Sequence, residues 1–322
     1  MILRARERNA KINTSKGKQN KKHKHKTEVE KMLNVGVIGC GGMGKDHIKR
    51  LTEKIQGAQV VAVSDVFEEG AKEAAKIAGG AKVYTDGKDL INDPDVDAVF
   101  IVSPGFAHTE SLLQAIEAGK RVFCEKPLAT TADDCKKIVE AEVASGKHLI
   151  QLGFMRRYDK GYVQVKEALK SGEYGEPLIL HCTHRNPEVG TNYNTPMAVH
   201  DTAIHEIDTL HWLVDDEYES AQVIMPKVTK YSHSELKDPQ IMLLRTKRGI
   251  CIDVEVFVNC KFGYDINCEV VCEDGAIKMA QPSYPSIRKD AAVSTKIDTD
   301  CFVRFKDAYD CLLYTSPSPR DA

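Results

Sequence analysis

The segment VGVIGCGGMGKDH, residues 35–47, limits what this chain can become more than any other. Gly39, Gly41 and Gly44 fall in a G-x-G-x-x-G pattern directly after an apolar run and open a helical stretch. In such a turn the first glycine permits the bend and the second lets a pyrophosphate reach the backbone. The third lets helix and strand pack, with the anion on the helix N-terminus. The pattern alone is weak, but Asp65 closes the next β-rich run 21 residues after Gly44, where a carboxylate would hold an adenosine ribose 2′-OH. Val66 and Phe67 beside it offer no cation to offset a 2′-phosphate, so NAD is favoured over NADP. Met43 in the loop and Val66 at the strand tip join the candidate cofactor contacts.

From Met32 the pattern alternates β-rich and helical runs: LNVGVIG, VVAVSD, VDAVFIVS, RVFCE and HLIQLGF are separated by stretches such as EEGAKEAAKIA and TESLLQAIEAG. That is a doubly wound α/β domain with a parallel sheet, the Rossmann arrangement, expected over residues 32–153. After GYVQVKEALKSG the strands come with few helices between them, and Asp274-Gly275 signals a hairpin. Ile250, Ile252, Val254, Val256 and Val258 alternate with mostly polar or small residues, so one face of this sheet is covered more heavily. Residues 154–310 are expected to form an α+β domain with a large, mostly antiparallel sheet, its other face a candidate subunit interface.

The net charge of −2 hides an asymmetry: residues 1–31 hold 11 Lys/Arg against 3 Asp/Glu, leaving 34 against 44 for the rest. The basic head, with no apolar periodicity, is expected to be disordered, and Met32, just before the first strand, is a candidate native start that would leave the head non-native. Residues 311–322, CLLYTSPSPRDA, carry two prolines and no pattern, and are set apart as a tail foreign to the fold. No apolar run reaches the roughly 18 residues of a membrane span. The ten cysteines include no C-x-x-C pair, which points to reduced thiols and a cytoplasmic location, not zinc ribbons or a disulfide framework.

Two further segments carry chemistry. VFCEKPLATT puts Glu125 and Lys126 at a carboxyl-end strand tip, where open α/β sheets bind ligands; the bland reading is a surface ion pair. HDTAIHEIDTLHWL, residues 200–213, reads as a helix with Ala203, Ile207, Leu210 and Val214 on one face and Asp201, His205, Asp208 and Trp212 on the other. Asp201 and His205, four apart, are expected to meet. A solvated charged face, half of a metal site and an acid/base pair all remain open for them.

The glycine loop, EKPLATT, GFMRRYDKGY, HRNP, the 200–213 helix and NCKFGYDINCEVVCEDG together resemble the Gfo/Idh/MocA oxidoreductases, most of all their inositol dehydrogenase branch. The resemblance runs from about Met32 to Asp310. It implies a catalytic set of Lys126, Asp201 and His205, cofactor contacts near Ser103, His108 and Glu125, and substrate or cofactor contacts by Arg156, His184, Asn186 and Tyr264. The implied activity is NAD-dependent oxidation of myo-inositol at C2 by a homo-oligomer, commonly a tetramer, without nucleic acid or membrane partners. His205 would take the hydroxyl proton, Asp201 raising its basicity, while Lys126 steadies the alkoxide and makes a metal superfluous. Another cyclitol or a hexose is the alternative substrate. A non-catalytic NAD sensor is the alternative of another class, and it has no need of a proton acceptor.

Overall fold

The computed structural model describes residues 32–315; the expectations for the basic head and for the last seven residues lie outside these. Six parallel strands form the first sheet: β1 (Leu33–Ile38), β2 (Ala58–Ser64), β3 (Lys82–Tyr84), β4 (Ala98–Ile101), β5 (Arg121–Cys124) and β6 (Ile150–Leu152). Their order is β3-β2-β1-β4-β5-β6. Helices α1 (Gly42–Glu53), α2 (Glu68–Ile77), α3 (Gly87–Asn92), α4 (His108–Glu117) and α5 (Ala132–Ala144) make the crossovers. Alternate strand residues feed two cores. Val35, Val37, Phe100 and Phe123 pack with Ile48 and Leu51 of α1, whereas Ile38, Val99, Ile101 and Val122 pack with Leu90, Leu112 and Ile138 of α3, α4 and α5. With both faces covered, the strands read as near-continuous apolar runs. Chain order reverses between β1 and β4, which opens a crevice at the carboxyl ends of these two strands.

After α6 (Lys160–Ser171), strands β7 (Pro177–Arg185), β8 (Tyr218–Ile224), β9 (Gln240–Thr246), β10 (Cys251–Phe257), β11 (Asp265–Cys272) and β12 (Ala276–Lys278) form a second sheet in the order β12-β11-β7-β10-β9-β8. Only β7 and β10 pair in parallel; the other neighbours are antiparallel, as expected. The period-2 pattern sets the inner face: Leu180, Cys182 and His184 of β7, Ile252, Val254 and Val256 of β10, and Ile266, Cys268 and Val270 of β11 are all buried. α6 and α7 (Ile204–Val214) cover this face. The outer face mixes exposed Ile179, Val223 and Leu243 with the pairs Arg185–Glu255, Arg185–Asp265 and His181–Asp253.

Two local expectations are corrected. The helix over 200–213 is not uniform: Ala198–Ala203 is a π turn, closed by the Ile204 amide on the Val199 carbonyl, and only then does α7 begin. Residues 311–315 join the fold. After α8 (Cys301–Arg304), α9 spans Lys306–Tyr314, and Phe305, Ala308, Tyr309, Leu312 and Leu313 are buried at i, i+3, i+4, i+7 and i+8 spacing. α9 packs chiefly against residues 155–158 and is tied to α1 by Arg50, which pairs with Asp310, donates to the Lys306 carbonyl and stacks on Tyr309. Among the described residues no helix is long and apolar enough to cross a membrane.

Candidate functional site

Each glycine of the loop meets a different constraint. Gly39 has φ +96°, and a Cβ there would lie 2.5 Å from the Ser103 amide nitrogen. At Gly44 a Cβ would lie 1.9 Å from the Gly39 carbonyl oxygen, so only glycine lets α1 cross so close to β1. At Gly41 a Cβ would meet nothing within 4 Å, so the absence of a side chain there keeps open space and not a packing contact. Gly41 is also the residue before α1, and no side chain caps that helix, leaving its first amides and the positive end of its dipole free for an anion.

Asp65 stands at the tip of β2. Its Oδ2 accepts from the Cys40 amide at 2.7 Å and its Oδ1 from the Phe67 amide at 2.9 Å. A carboxylate has about four lone-pair positions, so two remain for ribose hydroxyls. Val66 and Phe67 are exposed beside it. Across the crevice the Ser103 hydroxyl is buried without a partner, which suits a polar ligand group. Uncapped helix, open Gly41 and free carboxylate positions together fit a dinucleotide. Half-buried Met43 packs against the core near the loop.

His108 is placed otherwise than expected. It is fully buried, with Nδ1 2.7 Å from the Pro127 carbonyl and Nε2 2.7 Å from the Ser103 carbonyl, so it ties two crevice loops together and has no ring nitrogen left for a cofactor. Glu125 is likewise turned inward. Its Oε1 lies 2.8 Å from Nε2 of His47, a fully buried residue of α1, and its Oε2 accepts from the Lys126 amide at 3.2 Å. His47 was not singled out from sequence, although it follows Gly44 by one turn on the same buried face of α1 as Ile48 and Leu51.

The Lys126–Pro127 peptide is cis, and Lys126 Nζ donates to the main-chain carbonyl of Asp201 at 2.9 Å. Lys126 and the π turn are thereby joined, but Asp201 and His205 do not pair. The Asp201 carboxylate instead lies 2.8 Å from Nδ1 of the adjacent His200. Asp201 lies within the π turn and His205 in the first turn of α7 beyond it. His205 is buried, with Nδ1 unpartnered. Burial, then the charges of Lys126 and Arg156 and the neighbouring His184, hold its imidazole well below the usual histidine range. The structure therefore shows no contact through which Asp201 would raise the basicity of His205.

Beneath His205 lies a sealed polar cluster. Arg156, almost wholly buried, pairs through Nη1 with Glu206, approaches the Tyr162 hydroxyl at 3.4 Å and stands over the Phe305 ring. Glu206 also meets His184, whose ring lies 6.2 Å from that of His205 and edge-on to Tyr264 at 5.8 Å. Sequence reasoning missed Glu206 because it lies off the polar helix face drawn from an unbroken 100° step. Asn186 uses its backbone to bridge Phe257 and Cys260 at the end of β7. Asp208 pairs with Arg157, and Trp212 receives Lys166 on its ring and carbonyl. Among the described residues no group of three or more His, Cys, Asp or Glu side chains is placed to hold a metal ion.

Comparison with known proteins adds a family match, two relatives and one solved structure. Residues 33–154 match an oxidoreductase family with an NAD-binding Rossmann fold, GFO_IDH_MocA, and residues 162–278 match the GFO/IDH/MocA C-terminal domain. The chain is 54% identical over 279 residues to an inositol 2-dehydrogenase of Pseudomonas syringae pv. syringae, covering 86% of this chain and 83% of the relative. It is 52% identical to an inositol 2-dehydrogenase/D-chiro-inositol 3-dehydrogenase of Halalkalibacterium halodurans, covering 86% and 80%. Among solved structures, a myo-inositol dehydrogenase from Lactobacillus casei in complex with NAD(H) and myo-inositol superposes with a TM-score of 0.85 at 44% identity, covering 88% of this chain and 84% of that one.

Proposed function

The chain belongs to the GFO/IDH/MocA oxidoreductases, and on that premise we propose that it is an NAD-dependent inositol 2-dehydrogenase, oxidising myo-inositol at C2 to the 2-keto sugar. The observation that carries the reading is the meeting of Lys126, from the tip of β5, with the π turn that leads into His205. It comes together with the likeness to an enzyme solved with NAD(H) and myo-inositol.

NAD, when bound, supplies a hydride acceptor at nicotinamide C4. The uncapped amides of α1 and the open space at Gly41 receive the pyrophosphate, and the free lone pairs of Asp65 receive the adenosine ribose hydroxyls. A 2′-phosphate would face the Asp65 carboxylate. Neutral His205 accepts the proton of the reacting hydroxyl, and Lys126, steered by the Asp201 carbonyl, stabilises the alkoxide. In this scheme Asp201 serves Lys126 through its main chain while its carboxylate holds His200. His184, Asn186 and Tyr264 meet the other hydroxyls. Arg156 acts from behind them, since its guanidinium is engaged by Glu206.

The same reading takes residues 32–153 as the cofactor domain and 154–310, with α9, as the substrate domain. It takes the outer face of the second sheet as the contact of a cytoplasmic homotetramer. A broader inositol specificity is the second reading, favoured by the double activity of the Halalkalibacterium relative. NADH formation is to be followed with a panel of inositol isomers and hexoses. Highest kcat/KM for myo-inositol supports the proposal, and preference for a hexose refutes it.

A further inference from the structure

Glu206 takes no part in the proton transfer above, yet it is the centre of the buried polar cluster to which His184 belongs. Its oxygens are divided: Oε1 pairs with Arg156 Nη1, and Oε2 lies 2.8 Å from Nδ1 of His184. A carboxylate can only accept, so the hydrogen in the second contact belongs to Nδ1. Arg156 Nη2 also comes within 3.1 Å of that nitrogen. The arginine cannot donate to a protonated Nδ1, and a bare Nδ1 would set its lone pair against Oε2 at the shorter distance. The Glu206 contact therefore decides the tautomer.

Burial, opposed in part by Glu206, holds the His184 imidazole below the usual histidine range, so the ring is neutral at neutral pH. Burial alone would raise Glu206, but Arg156 and His184 bring it below the usual carboxylate range and keep it ionised. In a neutral ring with hydrogen on Nδ1, Nε2 carries a lone pair and can accept a hydrogen bond from a ligand.

We infer that Glu206 is a positioning residue that fixes the tautomer of His184, so that the pocket offers a hydrogen-bond acceptor beside His205 and the polyol must donate a hydroxyl hydrogen to it. The inference rests on the reading of this pocket as a polyol site. Its elements come from three parts of the chain: His184 from the inner face of β7, Glu206 from the first turn of α7, and Arg156 from the segment after β6. Tyr264 stands edge-on to the His184 ring and limits its rotation. A substrate whose hydroxyl at that position is replaced by fluorine, which cannot donate, loses as much affinity as one with hydrogen there. A site built around such a contact leaves a buried polar atom unpaired with either analogue.

Nitrogen-15 NMR of histidine-labelled, NAD-saturated enzyme tests this, with the His184 signals assigned from their loss in His184→Gln. The expected spectrum shows a protonated Nδ1 and a bare Nε2; a protonated Nε2 overturns the inference. A second arm replaces both charges together, Arg156→Met with Glu206→Met. There the KM for myo-inositol is expected to rise by at least about tenfold with NAD affinity unchanged, and the His184 signals to show mixed tautomers. An unchanged KM overturns the inference, and if the paired variant does not fold, the wild-type spectrum decides. Enzyme that binds NAD but turns over no polyol refutes the proposed function, while the tautomer still reports on Glu206.

Discussion

Gly41→Ala and Gly44→Ala separate the two uses of glycine in the cofactor loop. At Gly44 the added carbon would sit 1.9 Å from the Gly39 carbonyl, a distance that only displacement of α1 from β1 can relieve. Overpacking of this kind costs roughly 1–3 kcal/mol or more, and each kcal/mol lowers Tm by about 2–4 °C in a chain of this size. A fall of roughly 5–10 °C without ligand is expected, together with weaker NAD binding. At Gly41 the φ of −70° suits alanine and the new carbon meets no protein atom within 4 Å. The cost to the fold is then limited to the poorer helix-capping of alanine, about 1 kcal/mol or less. The carbon fills the space left for the pyrophosphate, however, and each hydrogen bond lost to that charged group is worth about 1.5–3 kcal/mol. NAD affinity should fall by at least about tenfold while Tm changes by less than about 4 °C. Thermal unfolding followed by circular dichroism and calorimetric titration with NAD measure both. Wild-type NAD affinity in Gly41→Ala, or a wild-type Tm in Gly44→Ala, refutes the reasoning.

His205→Ala should lose roughly 10²- to 10⁴-fold in kcat while retaining NAD affinity, as read from steady-state NADH formation and NAD titration; wild-type-like turnover removes the base from His205. Because His205 must be neutral to accept a proton and its imidazole is held below the ordinary range, the acid limb of kcat/KM should lie below about 6.5. An acid limb above about 7 would show that a carboxylate supports the base after all. Asp65→Ser should raise affinity for NADP relative to NAD by at least about tenfold, measured by competitive titration, because it removes the charge opposite the 2′-phosphate. An unchanged ratio contradicts the assigned place of the ribose.

The fold was legible because its signals are local and periodic: apolar runs for the parallel strands, period-2 burial in β10 and β11, glycines set by the turn they make. The place of Lys126 was legible for a related reason, since the end of a strand says where such a residue stands. What escaped depends on small departures from ideal geometry or on distant partners. Asp201 lies in the π turn at 198–203, which nothing in the spacing of HDTAIH announces. Glu206 became visible only when β7 brought His184, and the loop after β6 brought Arg156, to the same buried spot. His47 and Glu125 are 78 positions apart, and their contact belongs to the packing of α1 on β5. The last turn of α9 was overlooked for another cause. The prolines that follow it obscured Leu312 and Leu313, which continue the stripe begun at Phe305.

The proposed reaction moves a hydride from C2 of myo-inositol to NAD. Incubation with NAD and myo-inositol bearing deuterium at C2, followed by NMR of the reduced cofactor, tests it directly. One deuterium at nicotinamide C4 and formation of the 2-keto sugar are expected. Protium at that position, or bound NAD that no inositol reduces, contradicts it.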